Sequence, residues 1–171
     1  MKKSLIAVAF LSSSAFVGVA NAIDGTINFT GSISPDACTV NVGSGSAPID
    51  MGNISSSALA SVGDSASRGD FKIVLSACSA GATTAAVKFD GQSDKDDPTL
   101  LGLASGGATG VAIGLYEEDG TTKLPLGSSS LSKPIATGAD TEFNFVAKYV
   151  ATGTVVDGAA NALAQFTVDY N

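Results

Sequence analysis

The chain contains no histidine and no tryptophan. Histidine is the side chain that titrates nearest neutral pH, and it is also the commonest metal ligand. Its absence removes the usual general base and weakens the case for a hydrolase or a transition-metal site, while carboxylate chemistry stays open. Basic residues are scarce, with 9 Lys and Arg against 16 Asp and Glu. No cluster of them is available to neutralise a phosphate backbone, which argues against a nucleic-acid partner. Long apolar runs are also missing. The best stretch, residues 5–11 and 15–20, is interrupted by Ser12, Ser13 and Ser14, and falls short of the ~20 residues needed to cross a bilayer.

That stretch has another reading. Lys2 and Lys3 precede it and Ala20-Asn21-Ala22 follows it, the charged start, apolar middle and A-x-A site of a signal peptide cleaved after Ala22. Removing 22 of the 171 residues leaves 149, enough for one domain with a real core. Losing Lys2 and Lys3 leaves 7 of the 9 basic residues against 16 acidic ones, a net charge of −9. Only two cysteines are present, Cys38 and Cys78. In an exported chain such a pair reads as a disulfide, two buried free thiols being the alternative. A bridge closing a loop of about 40 residues contributes roughly 4 kcal/mol through the unfolded state.

The mature chain alternates almost throughout. Ile23, Gly25, Ile27, Phe29, Gly31 and Ile33 share one face of "IDGTINFTGSI", the pattern of a half-buried strand. Residues 38–42, 71–75, 85–89, 111–116, 143–149 and 165–170 give further strands, with weaker candidates at 48–51, 100–103 and 123–126. Gly, Ser, Asp and Pro clusters at 43–48, 55–70, 90–98, 104–110 and 127–134 mark loops. Asp119-Gly120 lies between two strand patterns, a hairpin signal. The best helical candidate, residues 57–62, is short, and "AANALA" (159–164) runs straight into the last strand. Short strands with turn-rich connections predict an antiparallel β-sandwich.

Chemistry-bearing motifs are weak. Asp90, Asp94, Asp96 and Asp97 lack the spacing of a calcium loop closed by a glutamate. Ser130-Leu131-Ser132-Lys133 matches S-x-x-K, but its companion elements are missing and Pro134 marks a loop. The glycines of 102–114 fit no phosphate-binding pattern and suit bulges or close backbone approach. Asn28-Phe29-Thr30 and Asn53-Ile54-Ser55 are formal glycosylation sequons, set aside because the signal peptide looks bacterial. Two amphipathic strands remain, one at each end. The last, "QFTVDY", has no Pro or Lys between 162 and 171 to blunt a free edge.

Four stretches together resemble a subunit of the chaperone–usher type 1 pilus. They are "GTINFTGSI", "DACTV" with Cys38, "FKIVLSAC" with Cys78, and "GAANALAQFTVDYN" with Gly158 and Tyr170. The resemblance implies an all-β fold, an incomplete immunoglobulin-like β-sandwich completed by a donor strand from a neighbouring subunit. It divides the chain into a signal peptide (1–22), a donor extension (23–35) and a pilin domain (36–171). It implies donor residues Ile27, Phe29, Gly31 and Ile33, and an acceptor groove with chaperone contacts at Gly158, Phe166, Val168 and Tyr170. The implied partners are other copies and related pilus subunits, a periplasmic chaperone and an outer-membrane usher, with passage through the periplasm to a surface fimbria. No cofactor, metal or catalytic residue is expected. The other readings are a minor, adaptor or tip subunit, or a secreted carbohydrate-binding sandwich. A tip adhesin of this family carries a second, lectin domain and lacks the donor extension, whereas this chain has the extension and room for one domain.

Overall fold

The computed structural model describes residues 28, 30, 38–43, 48–136 and 138–171. Of the expected signal peptide and donor extension it therefore describes only Asn28 and Thr30, both exposed. Residues Ile27, Phe29, Gly31 and Ile33 lie outside the described residues.

The described strands are β1 (Thr39–Val42), β2 (Ser65–Ser76), β3 (Thr84–Gly91), β4 (Thr109–Glu117), β5 (Lys133–Pro134), β6 (Thr141–Val156) and β7 (Ala164–Tyr170). They form two sheets, in the orders β1-β2-β6-β4 and β5-β3-β7, with every pairing antiparallel. The 16-residue β6 organises the larger sheet. Its register sets Phe71 opposite Phe145 on one side and Leu115 opposite Ala147 on the other. Period-2 alternation then turns Ile73, Leu75, Phe143, Phe145, Ile113 and Leu115 to the same face. They meet Ala85, Val87 and Phe89 of β3 in one buried apolar cluster. Phe89 packs edge-on against Phe145 at 4.9 Å between centroids, and both rings contact Phe71, the geometry that aromatic quadrupoles favour. This is an immunoglobulin-like all-β sandwich.

Cys38 and Cys78 are joined by a disulfide. Cys38 immediately precedes β1 and Cys78 follows β2, beyond the Thr39–Ser76 pair, so the bridge clamps the open end of that ladder. At the other side of the larger sheet, Asp119-Gly120 turns the chain after β4. The Gly120 amide donates to the Glu117 carbonyl, Gly120 has φ +65°, and the Glu117 amide reaches the Thr122 carbonyl. The Asp119 carboxylate accepts from the Thr121 and Thr122 amides and the Thr122 hydroxyl, which holds its pKa well below the usual carboxylate range.

Four local expectations are corrected. Residues 65–70, read as loop, are the first half of β2. Arg68 and Asp70 are exposed and ion-paired, and Gly69 has no side chain, so the apolar alternation is hidden. The pairing with β6 shifts between Ala66 and Gly69, where Ser67 has φ +67°, a bulge that breaks the period. The helical candidate 57–62 is one 3-10 turn, Ser56–Leu59, capped by Ser55 and buried only through Leu59. Residues 48–51 form no strand, and 100–103 and 123–126 contribute only isolated bridges, Leu101 to Ser93 and Ile113, and Lys123 to Tyr116. Within the predicted loop 127–134, Lys133 and Pro134 form the short β5.

Phe145 is 1% exposed and touches three other phenylalanines. Phe145→Ala is expected to lower unfolding free energy by about 3–5 kcal/mol, measured by urea denaturation with the disulfide intact.

Candidate functional site

β7 alternates cleanly. Gln165, Thr167 and Asp169 are exposed, while Phe166, Val168 and Tyr170 turn inward and are only half-buried. Its pairing with β3 places Phe166 opposite Phe89, Val168 opposite Val87 and Tyr170 opposite Ala85, so the inward faces of the two strands coincide. β7 is the last strand of its sheet, and among the described residues no strand pairs with its outer edge.

Beside that edge a cleft of about 1270 Å³ opens into the core. Residues 48–56 form one wall and 155–164 the other. Its floor is the sandwich core itself, including Phe71, Ile73, Phe89, Leu101, Ile113 and Leu115. The rim is apolar as well, with Leu163 78% exposed and Val156 57%. Among the described residues no strand occupies this cleft, which reaches the core between the two sheets. Its cost is exposed apolar surface and an unpaired ladder edge.

Each wall is fastened separately. In the first, the Met51 carbonyl accepts a hydrogen bond from the Ser67 hydroxyl in the β2 bulge. Gly69 lies directly beneath, where a Cβ would stand 2.5 Å from the Met51 sulfur. The bulge therefore seats this wall. In the second, the Ala108 amide donates to the Ala159 carbonyl at 2.9 Å and the Ala104 amide to the Asn161 carbonyl at 2.8 Å. Such close approach needs glycine, because a Cβ on Gly158 would stand 2.6 Å from the Ala108 nitrogen. From the floor, the Tyr149 hydroxyl donates to the Ala160 carbonyl at 3.1 Å. Burial raises the Tyr149 pKa, and the charge of Asp50 on the facing wall adds to it.

Of the residues the sequence pointed to, Gly158 and Phe166 line the cleft. Val168 and Tyr170 continue the same face of β7 and pack against the core beyond the cleft lining. The Tyr170 pKa is raised by burial. Apart from Gly158, sequence reading missed the walls: residues 48–51 read as a weak strand, and 52–56 and 159–163 carry no periodic signal. It also missed the floor, whose alternating residues were legible only as core.

The other motifs have structural roles. The Ser130 hydroxyl accepts from the buried Val87 amide, bonding the loop before β5 to β3, while Lys133 reaches the Glu142 carbonyl and lies over the Phe143 ring. In the acidic loop, Asp94 accepts from the Asp96 and Asp97 amides and Asp97 from Thr99. Among the described residues, no group of His, Cys, Asp or Glu is placed to hold a metal.

Comparison with known proteins places this geometry in context. A family model described as "Fimbrial protein" matches residues 27–171. The long polar fimbria protein A of Salmonella typhimurium is 36% identical over 177 residues, covering 99% of this chain and 97% of the relative. A Burkholderia pseudomallei antigen and type I fimbria protein of known crystal structure is 40% identical, with a TM-score of 0.62 over 85% of this chain and 97% of that one. The P pilus rod subunit PapA, 21% identical, shares the fold at a TM-score of 0.65 over 78% of this chain and 99% of its own.

Gly158→Ala is expected to force the second wall off residues 107–108 and to cost about 1–3 kcal/mol in urea unfolding.

Proposed function

This chain belongs to the fimbrial protein family and is a structural pilus subunit, and from that premise we propose that residues 23–33 of one copy fill the cleft beside β7 of the next. The observation that carries the reading is the cleft that opens the core along the unpaired edge of β7. An added strand supplies main-chain hydrogen bonds along that edge, and its alternate side chains enter pockets that fix the register. Ile27, Phe29 and Ile33 are the plugs. Gly31 marks a position where the groove takes no side chain. Gly158, Phe166, Val168 and Tyr170 belong to the accepting side.

The energetics suit a durable fibre. Burying three large apolar side chains stabilises each junction by roughly 1.5–3 kcal/mol apiece. Each new ladder bond adds about 0.5–1.5 kcal/mol net. A head-to-tail contact that does not close into a ring propagates as a filament. Before assembly the same cleft is an aggregation hazard, so a periplasmic chaperone covers it and an outer-membrane usher directs the exchange. The finished fibre is extracellular and supports attachment of the cell.

Deleting residues 23–33 is expected to leave a subunit that folds with its chaperone yet cannot join a preceding one. Full-length fibres from this truncation, seen by negative-stain microscopy, would sink the donor-strand assignment. Gly31→Leu is expected to block polymerisation while leaving chaperone co-purification intact, and normal fibres from that variant would count against a side-chain-free position.

A further inference from the structure

The wall formed by residues 157–163 belongs to no strand and leads directly into β7. Ala160 and Ala162 pack against the core, and among the described residues three hydrogen bonds tie the wall to the rest of the sandwich. Two backbone hydrogen bonds come from the 104–108 loop, at Ala104 and Ala108. One side-chain hydrogen bond comes from Tyr149, which is 6% exposed and forms part of the cleft floor. On the side away from the cleft, Gly107 leaves no slack, because a Cβ there would stand 2.0 Å from the Ala159 carbonyl oxygen. The wall is thus held between a glycine contact outside and a tyrosine post inside. Any strand laid along β7 and continuing past Ala164 meets this wall next.

We propose that Tyr149 is a positioning residue of the strand-accepting cleft: its hydroxyl, bonded to the Ala160 carbonyl, holds wall 157–163 at the spacing a neighbouring copy's strand requires. This rests on the reading that the cleft takes such a strand. With the post in place the wall is preorganised, and an incoming strand does not have to order it. Without the post the wall keeps its two backbone bonds but can tilt, so the seated strand is gripped less well. Tyr149→Phe is the natural probe, since it keeps the ring in the floor and removes only the hydroxyl.

The experiment uses fibres of the full chain, comparing wild type, Tyr149→Phe, Gly107→Ala and Ser130→Ala. Two quantities are read: dissociation of the fibres in denaturant, and amide hydrogen exchange at residues 159–163. Tyr149→Phe should speed dissociation by about threefold to tenfold, as expected for the loss of one hydrogen bond, and should speed exchange at 159–163. Gly107→Ala, which displaces the wall from outside with Tyr149 intact, should act in the same direction. Ser130→Ala removes the bond to the Val87 amide on the other side of β3 from β7. It should leave both readouts unchanged although it destabilises the sandwich. Wild-type rates in Tyr149→Phe overturn the proposal, as does faster exchange without faster dissociation. Full-length fibres assembled from chains lacking residues 23–33 refute the donor-strand reading itself, and that outcome is visible before any Tyr149 variant is made.

Discussion

A β-strand carries hydrogen-bonding groups along two edges and side chains on two faces. Among the described residues β7 has a partner on one edge, β3, and cover on part of one face. In water the free edge can be hydrated, but the half-buried Phe166, Val168 and Tyr170 and the core floor beside them lose the benefit of burial. The rest of the molecule is arranged around that gap. The larger sheet supplies most of the floor, the β2 bulge seats one wall, and glycine contacts together with the Tyr149 hydroxyl seat the other. The disulfide lies at the β1–β2 end and stiffens the sheet from which the floor is built.

This arrangement explains how a chain can be both well packed and unfinished. Phe143, Phe145, Ile73, Leu75 and Val87 are essentially inaccessible, so the sandwich has a true core without the extra strand. The deficit is confined to the cleft. A local deficit of this kind can be met by any extended segment with matching alternation, which is the physical basis of the strand exchange proposed above. Register specificity then comes from side-chain size along the groove, since the backbone bonds alone accept any sequence.

Much of this was legible in the sequence, for definite reasons. Phe71-Ile73-Leu75, Val111-Ile113-Leu115 and Phe143-Phe145-Ala147 alternate because one face of each strand is core, and they appeared as β2, β4 and β6. Strand β7 was visible for the same reason. The first half of β2 was hidden because Gly69 leaves room for Met51 and Ile49 instead of packing a side chain of its own. Most of the walls was not legible, since Ala159 and Asn161 are placed by backbone hydrogen bonds from a distant loop and Ala160 by the Tyr149 hydroxyl, and no local pattern encodes such partners. Gly158 was singled out through the family resemblance, and its close approach to Ala108 gives that glycine a physical reason.

The central claim is that the outer edge of β7 is completed by another copy of the chain. Fibres assembled from two separately isotope-labelled populations test it most directly by solid-state NMR. The account predicts contacts between residues 27–33 and 164–170 only across differently labelled copies. The same contacts arising within a single copy, or their absence from the fibre, would contradict it.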